Sequence, residues 1–297
     1  MKKLLVLVFL LFSITAIAGD KIDKSLEVSG QGEIEIHNNR GKITLKGWDK
    51  NQVSVKGELD DLTEKFIFTT EGDKTLIKVV LSETNMHSRS GDGSNLKIFI
   101  PSNLAVQFGG VATDLDFSEV KNGIDINSVS GNVNLNKVDG RIYINSVSGN
   151  LELKALTGQL EISTVSGDVN GTVSSKKLTV NGVSSDIIIK TQQFEMAKLS
   201  TVSGDTKLYG QLESDGEIRL NSVSGNSYFY ISDELNAKVV LDTGPGGNVV
   251  NDYSNEKPTS SFIGSEKLQF IAGNGKGEIR MSTVSGNIGL KKNNKRK

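Results

Sequence analysis

The chain of 297 residues contains no cysteine. That excludes disulfide bridges and zinc sites of the cysteine type. It also removes the thiol through which an N-terminal lipid anchor would be attached. Histidine is nearly missing as well, so only His37 and His87 could bring imidazole to a metal. Aromatic residues make up 6% of the chain, with Trp48 the single tryptophan, and there are only three prolines. An excess of either charge is lacking too: 34 Lys and Arg stand against 35 Asp and Glu, a net charge of -1. Without a general basic field, nucleic acid is not an expected partner.

Long apolar runs are absent after the first few residues. Leu4–Phe12 follows a Met-Lys-Lys start and leads into Ala16, Ile17, Ala18 and Gly19. This is the charged, apolar and small-residue order of a cleavable signal peptide, assigned here to residues 1–18. The run is far shorter than the ~20 residues that span a bilayer. The mature chain is therefore expected to lack a transmembrane segment. It is expected in the periplasm, or outside the cell at its surface. At the far end, residues 291–297 read KKNNKRK, with five cations and no acid. This basic tail fits a solvated end, or a contact with anionic lipid or polysaccharide.

What the chain does have is glycine, 32 residues of it, and short stretches of period-2 alternation such as GEIEIHNNRGKITLKG. Many short strands are implied. The heptamer INSVSGN stands at 126–132 and again at 144–150, with variants ending at Asp168, Asp205, Asn226 and Asn287. Val129, Val147, Val165 and Val183 are 18 residues apart. Within each step the aliphatic residues follow intervals of 2, 3 and 4, as in Ile124, Ile126, Val129, Val133, Leu135 and Val138. A nine-residue unit, x-Φ-x-Φ-x-x-Φ-x-G, emerges. Two aliphatics two apart would face inward, and the third, after a slipped alternation, would also point to the core at a corner. The closing glycine would permit the bend. One such unit cannot bury its own apolar face, but a stack can. The expected fold is all-β: a single-stranded parallel β-helix or β-solenoid, with coils of about 18 residues built from two nonapeptide half-coils. The expected domain covers 19–290, with irregular N-terminal coils and cap at 19–104, regular coils at 105–230, and irregular C-terminal coils and cap at 231–290.

The opening GEIEIHNNRGKITLKGWDKNQVSV, the strand LKIFIPSNLAV and the TVSGD/SVSGN array together resemble the bacterial "putative adhesin" family of exported β-strand-repeat proteins of unknown function. The resemblance implies an envelope location and a right-handed β-helix. It carries over no catalytic residue.

The repeat lines up several columns of side chains. Ser130, Ser148, Ser166, Ser184, Ser203, Ser224 and Ser285 share one, but no base stands beside it, so they read as hydroxyls bonded to nearby backbone. Ser128, Ser146, Thr164, Thr201, Ser222 and Thr283 form a hydroxyl column considered for ice or glycan binding. Asp168, Asp186 and Asp205 fall on successive coils, where carboxylates ~5 Å apart repel unless solvated or bridged by a cation such as calcium. Asp60–Asp61 and Asp114–Asp116 are acid-dense and fit turns or exposed strand faces. Trp48 fits packing over a turn, or stacking on a sugar. The sequence assigns no catalytic, cofactor or metal residue. It is a non-enzymatic, adhesin-like envelope or cell-surface scaffold that presents a repetitive polar face. Envelope polysaccharide or another surface protein would be its partner. The alternative is a carbohydrate-active β-helix enzyme, a lyase or hydrolase. The sequence directs attention to the breaks in the repeat at 85–94 and 235–277, and to the basic tail.

Overall fold

The alternation becomes strands, and the strands stack. The computed structural model describes residues 13–15, 20–82 and 91–293. Most of the assigned signal peptide, His87, most of the 85–94 loop and the last four residues of the basic tail lie outside that range. Three residues of the assigned leader, Ser13–Thr15, form a strand paired antiparallel with Thr63–Glu71.

In the regular part the chain makes two parallel ladders. One contains the strands Ile124–Ser130, Arg141–Ser148, Gln159–Ser166 and Lys177–Ser184. The other contains Val133–Val138, Leu151–Lys154 and Val169–Thr172. Partners lie 18 residues apart in both, as in Ile144 with Ile162 and Leu135 with Leu153. The step lengthens to 19 between Leu178 and Ala197 and to 21 between Ala197 and Ile218. The protein is thus an all-β solenoid, and its aliphatic columns form one continuous apolar core.

The two half-coils are not equivalent. In the second ladder the aliphatics go inward as expected, and Val138 is 1% exposed. The slip occurs at residues with positive φ, namely Glu119, Lys137 and Ala155. In the first ladder there is no such slip. The strand Ile124–Ser130 alternates regularly, so Ile124, Ile126 and Ser128 point in and Val129 points out. The expectation that Val129 and its copies reach the core is wrong. Eight valines, at 111, 129, 147, 165, 183, 202, 223 and 284, are 44–57% exposed. The hydroxyl column expected on the surface is buried instead, at 4–7% exposure. Its burial is tolerable because the hydroxyls find partners: Ser128 Oγ donates to the Ser130 carbonyl at 3.1 Å, Ser146 Oγ to that of Ser148 at 3.1 Å, and Ser222 Oγ to Thr283 Oγ1 at 2.9 Å. A direct check follows. Ile144→Ala should cost about 2–5 kcal/mol in urea denaturation, whereas Val147→Ala should stay within about 0.5 kcal/mol.

The ends depart from chain order. The strand Glu33–Trp48 pairs parallel with Ala105–Val120 on one side, and with Lys74–Leu81 and Ser94–Pro101 on the other. Beyond it lie antiparallel partners, Gln52–Glu58 against Ser94–Pro101 and Thr63–Glu71 against Lys74–Leu81. At the other end the strand Gly277–Lys292 is inserted between two earlier coils. It pairs with Thr206–Ser224 on one side and with Ala237–Thr243 on the other. The antiparallel strand Glu266–Ile271 then covers Ala237–Thr243. Three of the four ladder ends are thereby covered by antiparallel strands, which blunts open edges against association, while Gly247–Asn251 has no such partner among the described residues. Trp48 packs over its own turn, with Nε1 donating to the Gln52 carbonyl at 2.8 Å and its ring stacked 5.3 Å from Phe99.

Candidate interaction surface

The exposed valines follow from backbone alternation. Once Ser128 turns in, its successor must face solvent. Stacked at ~4.8 Å per rung, eight such valines make a ridge ~34 Å long. The residues on either side in each coil are Asn, Ser, Thr, Ala or Gly, so the stripe carries no charge from Gly109–Ala112 to Ser282–Ser285. Along four central coils the ridge borders a shallow concavity of about 650 Å³, lined by residues 127–129, 145–147, 163–165 and 181–183. Half-exposed methyl groups beside amides and hydroxyls suit a ligand that is apolar on one side and polar on the other. Serines of the next column bond backward to the previous coil, Ser130 Oγ to the Val111 carbonyl at 3.0 Å and Ser148 Oγ to that of Val129 at 3.3 Å. These two are tied to the scaffold.

The Asn/Asp column is a hydrogen-bond ladder. Asp168 Oδ1 accepts from Asp186 N at 3.2 Å, Asp186 Oδ1 from Asp205 N at 2.7 Å, and Asp205 Oδ1 from Asn226 N at 2.8 Å. Asn132 and Asn150 use the same atom in the same way, at 3.0 Å each. Both residue types supply an acceptor at that position, which explains why they interchange along the column. Among the described residues, no group of three or more His, Asp or Glu is placed to hold a metal ion.

Residues 31–291 match the family model described as Toastrack DUF4097. The chain belongs to this family. Among solved structures it is similar to a putative adhesin from Bacteroides fragilis, at 12% identity over 91% of this chain and 97% of that one, TM-score 0.40. It is also similar to a putative lipid binding protein from Parabacteroides distasonis, at 16% identity over 92% and 97%, TM-score 0.38. A putative adhesin from the same organism matches at 10% identity over 92% and 97%, TM-score 0.33. No curated protein matches.

Two further features of this Toastrack chain escape a reading by repeat. Asp60 is not in an exposed turn but 2% exposed, beneath Arg40. Arg40 Nε bonds Asp60 Oδ2, and Nη2 bonds Oδ1 at 2.7 Å, with Leu62 N also on Oδ1 at 2.8 Å. Burial alone would raise the Asp60 pKa; the Arg40 hydrogen bonds and the Leu62 amide outweigh it and hold the carboxyl below its ordinary value. This cluster sits where the irregular coils meet the regular ones. It flanks a concavity of about 480 Å³ bounded by Arg40, Lys42, Asp92 and Asp114. The second feature is a set of lysines and tyrosines on the opposite ladder, near its C-terminal end. No aliphatic periodicity signals either; a single Arg–Asp pair 20 residues apart has no repeat to announce it.

Proposed function

We propose that this protein is an exported, non-enzymatic envelope or cell-surface protein, adhesin-like in use, whose long side face binds a partner through many weak contacts. The observation that carries this reading is the uninterrupted, uncharged valine ridge with its bordering concavity. The face is amphipathic rather than simply polar. A rigid rung spacing lets a partner engage several valines at once, and linked weak contacts multiply in effect. Tethered serines and a carboxylate ladder bonded to main-chain amides support scaffolding over catalysis. The same reading takes the solenoid as a right-handed parallel β-helix of paired nine-residue half-coils over 19–290, behind a signal peptide at 1–18, located in the periplasm or at the cell surface. The 18-residue pairing step supports the coil length.

The test uses purified mature protein and envelope fractions of the source cell. Val147→Lys, Val165→Lys and Val183→Lys together place charges on three successive rungs without touching the core. Retention on the fractions should fall about tenfold or more, equivalent to ~1.4 kcal/mol, while the circular dichroism melt stays unchanged. Retention equal to that of wild type would overturn the role of this face.

A further inference from the structure

On the second ladder, away from the valine ridge, one outward column reads Lys190, Tyr209, Tyr230, Lys291 on successive rungs. The two rings lie 4.3 Å apart at 10°, in a parallel stack. Lys190 Nζ is 5.7 Å from the centroid of Tyr209, and Lys291 Nζ is 6.0 Å from that of Tyr230. The column is thus a cation–ring–ring–cation sandwich. Beside it Lys207 is the rung neighbour of Tyr228, and Lys291 Nζ also lies 4.0 Å from the Tyr228 ring. Lys292 lies off this column, in register with Ile231 and 5.9 Å from Tyr253, in a concavity shared with Asp233 and Glu234.

Several lysines elsewhere are neutralised by an acid. Lys46, Lys74, Lys176 and Lys198 each pair with a glutamate. Among the described residues, Lys190, Lys207, Lys291 and Lys292 are held by rings or by strand position instead, and their ammoniums keep their capacity for an anion. Asp205 and Asp252 are the acids that act on Tyr228, and Asp205 is already bonded to the Asn226 amide. Burial first, and then these acids, push the Tyr228 phenol up; burial and then Tyr209 do the same for Tyr230. Both phenols therefore remain hydrogen-bond donors at neutral pH. The strand Gly277–Lys292 ends in Lys291 and Lys292, the first two residues of the basic tail.

We propose that this lysine–tyrosine face binds an acidic polysaccharide, a linear chain of sugar carboxylates running along the solenoid axis. Charge complementarity selects the anion. Cations spread over four rungs, ~14 Å, match a polymer rather than a single small ion. The ring faces are covered by each other and by ammoniums, so the tyrosines offer hydroxyl edges to sugar oxygens. The tyrosine rings are half-buried rather than free to act as apolar anchors in a bilayer. This surface is separate from the valine ridge and stands or falls independently of it.

The probe is alginate, titrated against the mature protein by calorimetry. Uncharged dextran and vesicles containing phosphatidylglycerol serve as the comparison ligands. Alginate should bind, more weakly as salt rises, and dextran should not. Replacing Lys190, Lys207, Lys291 and Lys292 by Gln should weaken alginate binding about tenfold or more. The four Lys→Arg replacements should retain it. A charge-matched variant with Lys24, Lys65, Lys78 and Lys97 changed to Gln should bind like wild type. If the Lys→Gln set disturbs the melt, the pair Lys190→Gln and Lys291→Gln is read in its place. The proposal is overturned by absent alginate binding, by vesicle binding stronger than alginate binding, or by equal losses in the two Lys→Gln sets.

Discussion

Gly149→Ala is expected to destabilise the protein by about 3 kcal/mol or more. Gly149 has φ +113, a region that side chains other than hydrogen avoid. A Cβ there would also stand 2.1 Å from the Gly131 carbonyl oxygen of the preceding coil. That obstacle is main chain and cannot rotate away, so the rungs must separate and the ladder must break. Gly167 sits on Gly149 in the same manner, with 2.2 Å between its projected Cβ and the oxygen below. Gly246→Ala separates the two causes. Gly246 has φ +90 but no atom within 4 Å of its projected Cβ, so only the conformational cost remains, about 1–3 kcal/mol. Urea midpoints for the two variants decide the matter; equal losses would show that the close approach between coils contributes nothing. Since each coil rests on its neighbours, the Gly149 variant should also broaden the transition by uncoupling the coils on either side.

Arg40→Ala should cost about 3–5 kcal/mol at neutral pH, because it strands a buried carboxylate. The side chain of Asp60 is only 1% exposed. The pH dependence gives the sharper result. In the wild type Asp60 is held below its ordinary pKa. Its contribution is therefore present above the unfolded value, near ~3.9, and is lost as pH falls through the lower folded value. Without Arg40, burial is opposed only by the Leu62 amide and raises the folded pKa, so the variant loses stability as pH rises past ~4. The gap between the two proteins should widen from acid to neutral pH. Parallel stability curves, measured by denaturation from acid to neutral pH, would show that Asp60 is not the group that needs Arg40.

The coil step was legible because stacking demands copies. Ile126, Ile144 and Ile162 occupy one column, and each must fit the residue above and below. What misled was the assumption that nine-residue halves with similar spacing fold alike. The pattern counts aliphatics and passes over Ser128, yet Ser128 takes the inward place because its hydroxyl is satisfied by Ser130. Hydrophobicity alone cannot rank a buried, bonded serine above a valine. The Asp60 site was hidden for another reason, since ion pairing across the fold leaves no period in the chain. Tyr209 and Tyr230 are 21 residues apart, and only coil-by-coil alignment, allowing for the longer steps, would have placed them together. The breaks in the repeat did mark unusual construction. Residues 232–276 hold the excursion that lets the last strand enter between earlier coils.

That inserted strand bears on how the molecule is made. Gly277–Lys292 is the last strand in the chain yet an interior one in space. A chain emerging from the ribosome, or threading through an export channel, cannot finish its C-terminal end by adding coils in order. The coil of 237–251 must wait, held off from 206–231 until the final residues arrive to fill the gap between them. A protein cut short by twenty residues would thus lose a middle course of its masonry rather than its topmost one. Lengthening is simpler: eighteen residues duplicated anywhere between 124 and 190 would enter in sequence and leave both closures untouched.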